Sequence, residues 1–383
     1  MRIKRIVLYA AVACAMLAIG CGQTHSDRQR KEARDRWSTS RAEMATRLAE
    51  GCYQRGEYGR ARQQIEEVLR NGGAPYAPLY LLAARLASEK GELDNARAFA
   101  ENARAIDPKS AEACYVLGTI EQTLAHADRA LAEYAEAAKL DPRQPRYGLA
   151  QAEMLVIAGR TDDAAKALTE AADAMPGQAE VQAALGDVLA LQRRYGEAVA
   201  RYRTALHLEP QRADTKEHLA RALYYSGAYA EAEPMLAELA GASPDFASGW
   251  MLSMRADCLL ALGRVPEARY LYQYETKARQ GAAAPLVGLA KCDILQNHLT
   301  EARQALESAL AREPKQAEAN ALVGYVLVAL DRPDEAAGHL ERALADPQCP
   351  SRAIVERLLA RAQSGSAAAA GPATPSGPAV NPS

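Results

Sequence analysis

Large aromatic side chains are scarce in this chain of 383 residues, which has 2 Phe and 2 Trp. Few stretches supply the branched and aromatic groups that strands favour, so little of the chain suits a sheet. None of its 7 cysteines falls in a Cys-x-x-Cys pair, which removes the usual zinc and dithiol signatures. The histidines His25, His126, His207, His218, His298 and His339 are scattered, with no His-Glu-x-x-His spacing to hold a metal. Phosphate loops, dinucleotide fingerprints and Gly-x-Ser-x-Gly elbows are also missing. Carboxylate pairs such as Glu66 and Glu67 read as ordinary exposed helix residues. No enzyme activity, cofactor, metal or small-molecule substrate is therefore expected. A formal net charge of −2 lacks the basic excess that neutralises phosphates, so nucleic acid is not expected as the main partner.

What is abundant is helix-forming material, Ala, Leu, Arg and Glu above all, with 49% hydrophobic and 25% charged residues. It is also periodic. Pro108, Pro142, Pro176, Pro210 and Pro244 follow one another at intervals of 34 residues, and Pro314 comes 70 later. An alanine column runs through Ala61, Ala96, Ala130, Ala164, Ala198, Ala232, Ala268, Ala302 and Ala336, at intervals of 34 to 36. A second column of small residues comprises Ala49, Ala84, Gly118, Ala152, Gly186, Ala220, Ala256, Ala290 and Gly324. Two small columns let paired helices approach closely. Larger fillers stand four residues past the alanines, at Ile65, Tyr134, Leu168, Tyr202, Leu236, Tyr272, Leu306 and Leu340, on the same helix face.

Between the columns a turn needs a residue tolerant of left-handed backbone. Gly56, Gly91, Gly159, Gly227 and Gly263 supply it, with Asn297 and Asp331 as next-best substitutes. Ala125 and Arg193 depart from this, so tighter or strained turns are expected there. Leucine precedes the small column at Leu48, Leu117, Leu185, Leu219 and Leu289, while Gln151 and Arg255 break the rule and predict softer contacts. Cys258 and Cys292 occupy equivalent positions one repeat apart and read as small buried thiols.

These columns resemble the tetratricopeptide repeat, a unit of 34 residues in two antiparallel helices. Nine repeats are expected: six over 42–246 and three over 249–350. The resemblance implies an all-α, right-handed superhelical solenoid, which escapes the usual size limit of a compact core because each repeat touches only its neighbours. The two extra residues before Trp250, and Glu275 in a slot meant for a small side chain, mark the seam between repeats six and seven as the expected hinge. A capping helix is expected over 351–363, with Ile354, Leu358 and Leu359 inward. The uncharged Ala, Gly, Pro and Ser tail, 364–383, cannot bury enough surface to order itself.

At the other end, Arg2, Lys4 and Arg5 precede an apolar run from Ile6 to Ile19, 14 residues long. A bilayer span takes about 20, so the run reads as a secretory signal. Its close, Leu17-Ala18-Ile19-Gly20-Cys21, resembles the lipobox of bacterial lipoproteins, with Ala18 where that family prefers Leu. The resemblance implies a signal peptide over 1–20, a diacylglycerol on Cys21, and a membrane-anchored tether over 21–41. Gly22 is not the Asp that commonly retains such proteins at the inner membrane, so the periplasmic face of the outer membrane is expected. The basic run Arg28, Arg30, Lys31, Arg34 and Arg36 reads as a solvated tether or as a contact for anionic headgroups.

In the repeat family the first helices line a concave groove that takes a protein or peptide. One expected line along it runs through Glu153, Asp187, Arg221, Asp257 and Lys291, flanked by Tyr115, Leu149 and Tyr224. The resemblance implies a binding scaffold: a pilotin, an outer-membrane insertion factor or an adaptor in polysaccharide export. An adaptor that regulates a peptidoglycan enzyme is the alternative, and an enzyme subunit is the reading from another class.

Overall fold

A computed structural model describes the backbone of residues 2–71, 74–242, 249–347, 349 and 351–369. Within these, side chains are described for 27–71, 74–241, 249–347, 349 and 351–364. Among the described residues every regular element is a helix. In chain order these are α1 (Arg2–Gln54), α2 (Tyr58–Arg70), α3 (Ala77–Glu89), α4 (Leu93–Ile106), α5 (Ala111–Thr123) and α6 (Ala127–Leu140). They continue as α7 (Pro145–Ile157), α8 (Thr161–Ala174), α9 (Ala179–Leu191), α10 (Tyr195–Leu208), α11 (Ala213–Tyr225) and α12 (Tyr229–Ala242). The last are α13 (Gly249–Ala261), α14 (Val265–Ala278), α15 (Ala284–Leu295), α16 (Leu299–Arg312), α17 (Ala317–Ala329), α18 (Pro333–Leu344) and α19 (Arg352–Ala369).

The helices fall into two compact units. The first holds residues 1–193 with 207–210, and the second holds 194–206 with 211–383. This boundary lies in the turn after α9. The seam expected at 247–248 is outside the described residues. Within the first unit α1 packs on α2 and α3, α3 on α4 and α5, and α7 on α8 and α9. The second unit repeats the arrangement, with α13 on α14 and α15, and α15 on α16 and α17. Each is a helical solenoid, and in these contacts a first helix touches both its own second helix and the next first helix.

The small columns are what let this happen. All nine alanines of the series from Ala61 to Ala336 are fully buried. Their opposites on the first helices are buried too. The clearance is below one methyl group in places. A Cβ placed on Gly118 would stand 2.6 Å from the Tyr134 ring, and one on Gly324 would stand 2.3 Å from Leu340. Gly288, outside the expected column, is equally tight, at 2.3 Å from Tyr272. Fillers such as Ile65, Leu168, Leu236 and Leu306 are at most 2% exposed.

The turns are uniform. Gly56 has φ of 74°, and its N–H donates to the Tyr53 carbonyl while Glu57 N–H donates to Cys52. This is a Schellman closure. Ala125, at φ 59°, makes the same pair of bonds through its own N–H to Gln122 and His126 N–H to Glu121. Of the two alternatives expected at Ala125, the turn is strained and not tighter: it is the same turn, held in a backbone region that costs a β-carbon about 1–2 kcal/mol. Arg193 sits at φ 59° likewise.

Two expectations need correction. Leu48 is 58% exposed, because no repeat precedes the first one to cover it. In α19 the inward stripe is Val355, Leu358, Leu359 and Ala362, whereas Ile354 is 51% exposed. That helix also runs to Ala369, through residues 364–369 of the expected tail; residues 370–383 lie outside the described ones. At the other end α1 is one helix from Arg2 to Gln54, over the positions where signal, tether and the start of the first repeat are expected. Arg28, Arg30, Lys31, Arg34 and Arg36 are exposed along it.

Two substitutions separate these effects. Ala125→Gly should raise stability by about 1 kcal/mol by relieving the left-handed strain. Gly118→Ala should lower it by about 1–3 kcal/mol, since the ring opposite must shift. Thermal melts give both signs, and amide exchange should show the Gly118→Ala loss confined to α5, α6 and their neighbours. Equal loss along the whole chain would contradict neighbour-only packing.

Candidate functional site

The first helices carry the expected partner-binding residues, and the two units hold them differently. In the first unit Arg85 of α3 and Arg146 of α7 both pair with Glu112 of α5. The Tyr147 hydroxyl donates to the same carboxylate at 2.8 Å. Burial, then the Glu112 hydrogen bond, pushes the Tyr147 phenol up to about 12, so it remains a donor. The Arg146 guanidinium lies 5.1 Å from the Tyr115 ring centre and 5.0 Å from that of Tyr147. Tyr115 also meets Tyr134 and Tyr147, at 5.6 and 5.3 Å. Tyr115 is thus half-buried in a knot that ties α3, α5 and α7 together. Leu149 and Asp187 are half-buried, and Glu153 is exposed.

In the second unit the Tyr224 hydroxyl donates to Asp257 at 2.9 Å, and Tyr272 donates to its other oxygen at 2.6 Å. Burial raises both phenols, with the Asp257 charge adding to the effect. Arg221 stacks 3.9 Å above Trp250. Lys291 pairs with Glu318 at 2.6 Å, in repeat positions equivalent to those of Arg85 and Glu112. The structure therefore gathers Tyr224 and Asp257 at one junction and spends Lys291 on the next repeat. Charges aligned along the first helices serve, in good part, to join repeats.

A different set of side chains is left open to solvent, and the sequence reading missed it. Ile157, Leu191, Tyr225 and Leu295 are 64%, 62%, 53% and 61% exposed. Each is the last residue of its first helix. The signal was present in the spacing, since these residues recur with the repeat. The columns chosen to find the core simply did not include them. Tyr225 also stacks with Tyr195, centres 5.1 Å apart, and meets Tyr224 edge-on.

Second-helix arginines grip buried carboxylates of the following repeat. Arg97 pairs with Glu121 at 2.7 Å, where His126 adds a contact at 2.7 Å; Arg269 pairs with Asp293. Burial pushes Glu121 up, but the His126 and Arg97 bonds outweigh it and the net shift is down. Arg255, expected to be a soft contact, instead pairs with the buried Glu233 at 2.9 Å. Gln151 fits its expectation better. Beside Gly148, it lines a cavity of about 310 Å³ among α6, α7 and α8, with Ala135, Ala167 and Met175. Burial lifts the Cys258 and Cys292 thiols to about 12 and about 11; neither is a reactive thiolate. Among the described residues no three His, Cys, Asp or Glu side chains could hold a metal, and no helix is long and apolar enough to cross a membrane.

The repeat is confirmed by comparison with known families. Two models, each describing a tetratricopeptide repeat, match this chain, one at 189–258 and 259–324, the other at 115–179, 149–213 and 296–353. Residues 115–353 are tetratricopeptide repeats. Proteins built from this repeat are generally scaffolds for protein interaction. No curated protein matches the chain in sequence. Similar solved structures include YrrB, described as a tetratricopeptide protein with an unusual peptide-binding site, at 22% identity; the match covers 47% of this chain and 92% of that one, with a TM-score of 0.39. A tetratricopeptide protein of Parabacteroides merdae is 17% identical over 66% of this chain and 98% of its own, TM-score 0.42. PilF of Pseudomonas aeruginosa is 20% identical over 55% and 94%, TM-score 0.42.

Glu275 generates a test of the electrostatics. It fills an alanine slot at 1% exposure, accepts from Ser253 at 2.9 Å, and lies 4.0 Å from Arg279. Burial raises its pKa above the ordinary 4.5, Asp257 adds to that, and Ser253 and Arg279 oppose it. The folded state thus favours the neutral acid: its stabilisation is complete below the unfolded pKa and is lost as pH rises through the folded one. Glu275→Gln should therefore melt higher than the parent at pH 7, and the gap should close as pH falls toward 4. A gap that is constant with pH would show that ionisation of Glu275 is not its cause.

Proposed function

We propose that this protein is a non-enzymatic scaffold that holds a protein or peptide on its first-helix faces while a lipid on Cys21 tethers it to a bacterial membrane. One observation carries the scaffold reading: tetratricopeptide first helices that end on exposed Ile157, Leu191 and Leu295, with Tyr225 at the same position more than half exposed though stacked on Tyr195 of the preceding repeat. Leu149, Glu153 and Asp187 in the first unit, and Arg221 and Tyr224 in the second, border these positions. Isolated exposed aliphatics are ordinary; a series recurring with the repeat is what a bound chain can read.

The tether reading rests on the sequence from Leu17 to Cys21. In it, residues 1–20 are removed and 21–41 form the arm. The unbroken helix α1 supports an arm that is stiff, since 20 helical residues reach about 30 Å. Such an arm would hold the first repeat clear of the lipid surface, with Arg28, Arg30, Lys31, Arg34 and Arg36 nearest the headgroups. The setting is the periplasmic face of the outer membrane, and the role is assembly of an envelope complex.

Fractionation tests the tether. Cys21→Ser should move the protein from membranes to the soluble periplasmic fraction with unchanged helix content. Retention in carbonate-washed membranes after that substitution would rule out the lipid anchor. Crosslinking in the membrane fraction, read by mass spectrometry, should place partner contacts on first helices; contacts confined to second helices would overturn the scaffold face.

A further inference from the structure

Later first helices are covered on one face by the repeat before them: α4 packs on α5, α6 on α7, α8 on α9 and α12 on α13. The residue five positions before the small column lies under that cover. Leu79, Ala113, Tyr147, Val181, Thr215 and Met251 all hold this position and are at most 5% exposed. Their counterpart on α1, Met44, is 68% exposed. Leu48 is 58% exposed, where Leu117, Leu185 and Leu219 are at most 4%. Trp37 precedes Met44 by seven residues, on the same helix face, and is also exposed. The interface that joins one repeat to the next thus continues onto α1 and is left open there. From Trp37 to Leu48 its apolar stripe is about 17 Å long, three turns of helix.

The charge beside this stripe is of one sign. At about 100° per residue, Arg34, Arg41 and Arg47 fall within a right angle of it, and Asp35, Glu43 and Glu50 fall beyond. Arg41 pairs with Glu67 at 2.8 Å and lies 5.7 Å from the Trp37 ring centre. Arg47 has an exposed pair with Glu43 at 3.1 Å, the kind that another carboxylate replaces at little cost. Arg34 makes no ion pair among the described residues.

We propose that this end face of α1 docks an acidic amphipathic helix of a partner protein, stacked on the array where a preceding repeat would lie. Its form follows from the later repeats, where helices cover the same positions. Its charge follows from the arginines on both sides of the stripe, which carboxylates flanking an apolar stripe would meet. Neither α1 nor α19 of a second copy has that character. Two α1 faces would set arginine against arginine, and the exposed side of α19 carries Arg352, Arg357 and Arg361 with Glu356. The face is separate from the first-helix ends at Ile157, Leu191 and Leu295, and the proposal does not depend on the scaffold reading drawn from them.

The test uses the full chain with Cys21→Ser, so that no lipid contributes, and a labelled three-heptad peptide repeating Glu-Leu-Ala-Ala-Leu-Glu-Ala. Fluorescence anisotropy should show binding, and the same peptide with Lys for Glu should bind at least about tenfold more weakly. Met44→Ser and Leu48→Ser should each weaken the acidic peptide about tenfold. Arg47→Glu should weaken it and flatten its salt dependence. Leu191→Ser, on a later first helix, should leave it unchanged, with circular dichroism confirming that every variant folds. Absent binding, equal binding of the lysine peptide, or indifference to Met44→Ser and Leu48→Ser overturns the proposal. Two other results overturn it by naming a different occupant. One is sedimentation with phosphatidylglycerol vesicles that Trp37→Ser abolishes, which gives the face to lipid. The other is a dimer in sedimentation equilibrium that Leu48→Ser dissociates, which gives it to a second copy.

Discussion

The close approach of the two helices within each repeat is the constraint on which the rest of the structure depends. Nine alanines with no exposed surface face a column of Ala and Gly on the first helices, and the axes can come together only because no larger group stands between them. Where the first helix carries Gly118 or Gly324, the partner side chain, Tyr134 or Leu340, occupies the space a methyl group would need. Volume is exchanged across the contact, a small residue against a large one, as close packing demands. The turn geometry follows, since two helices this close need a compact reversal. Every described turn of this kind closes through a left-handed residue, including Ala125 and Arg193, where the side chain is unfavourable. Tertiary packing overrides local preference there.

Buried apolar clusters run from one repeat into the next, and a second, polar layer of interactions lies beside them. Glu112 gathers Arg85, Arg146 and Tyr147; Asp257 gathers Tyr224 and Tyr272; Glu121 gathers Arg97 and His126. Carboxylates are costly to desolvate, and the buried Glu121 and half-buried Glu112 and Asp257 are tolerated because each has two or more donors. Such pairs fix the register of neighbouring repeats more than they add stability. They also commit charge that would otherwise be free on the first helices. A first-helix residue can therefore be charged, and aligned with its counterparts, without being available to a ligand.

That distinction explains what the sequence revealed and what it hid. The fold was legible because the alanine and small-residue columns are set by steric contact within one 34-residue unit, and steric contact leaves the same residue types at the same intervals. The ends were less legible. Leu48 obeys the column but has nothing to pack against, and Ile354 lies one residue off the stripe formed by Val355, Leu358, Leu359 and Ala362; both errors came from applying an internal pattern where a neighbour is missing. The candidate site was only half legible. Tyr115, Tyr224, Asp257 and Lys291 stand where the repeat places groove residues, yet their hydrogen bonds and ion pairs depend on which residue the next repeat supplies. A single column cannot show a pairing between columns. Glu112 and Glu318 are unremarkable by themselves, and their roles emerge only beside Arg85 and Lys291.

The separation of these layers has a consequence for binding. A partner lying across Ile157 and Leu191, as the scaffold reading proposes, would touch two successive first helices and so bridge one junction. Ligand that binds only the folded form stabilises it through the ratio of its concentration to its dissociation constant. In a neighbour-coupled array that gain enters at the bridged junction and reaches distant repeats only through each intervening interface. Occupancy would then register first as protection of α7, α8 and α9, while α3 and α4, held by their own alanine contacts, would change little.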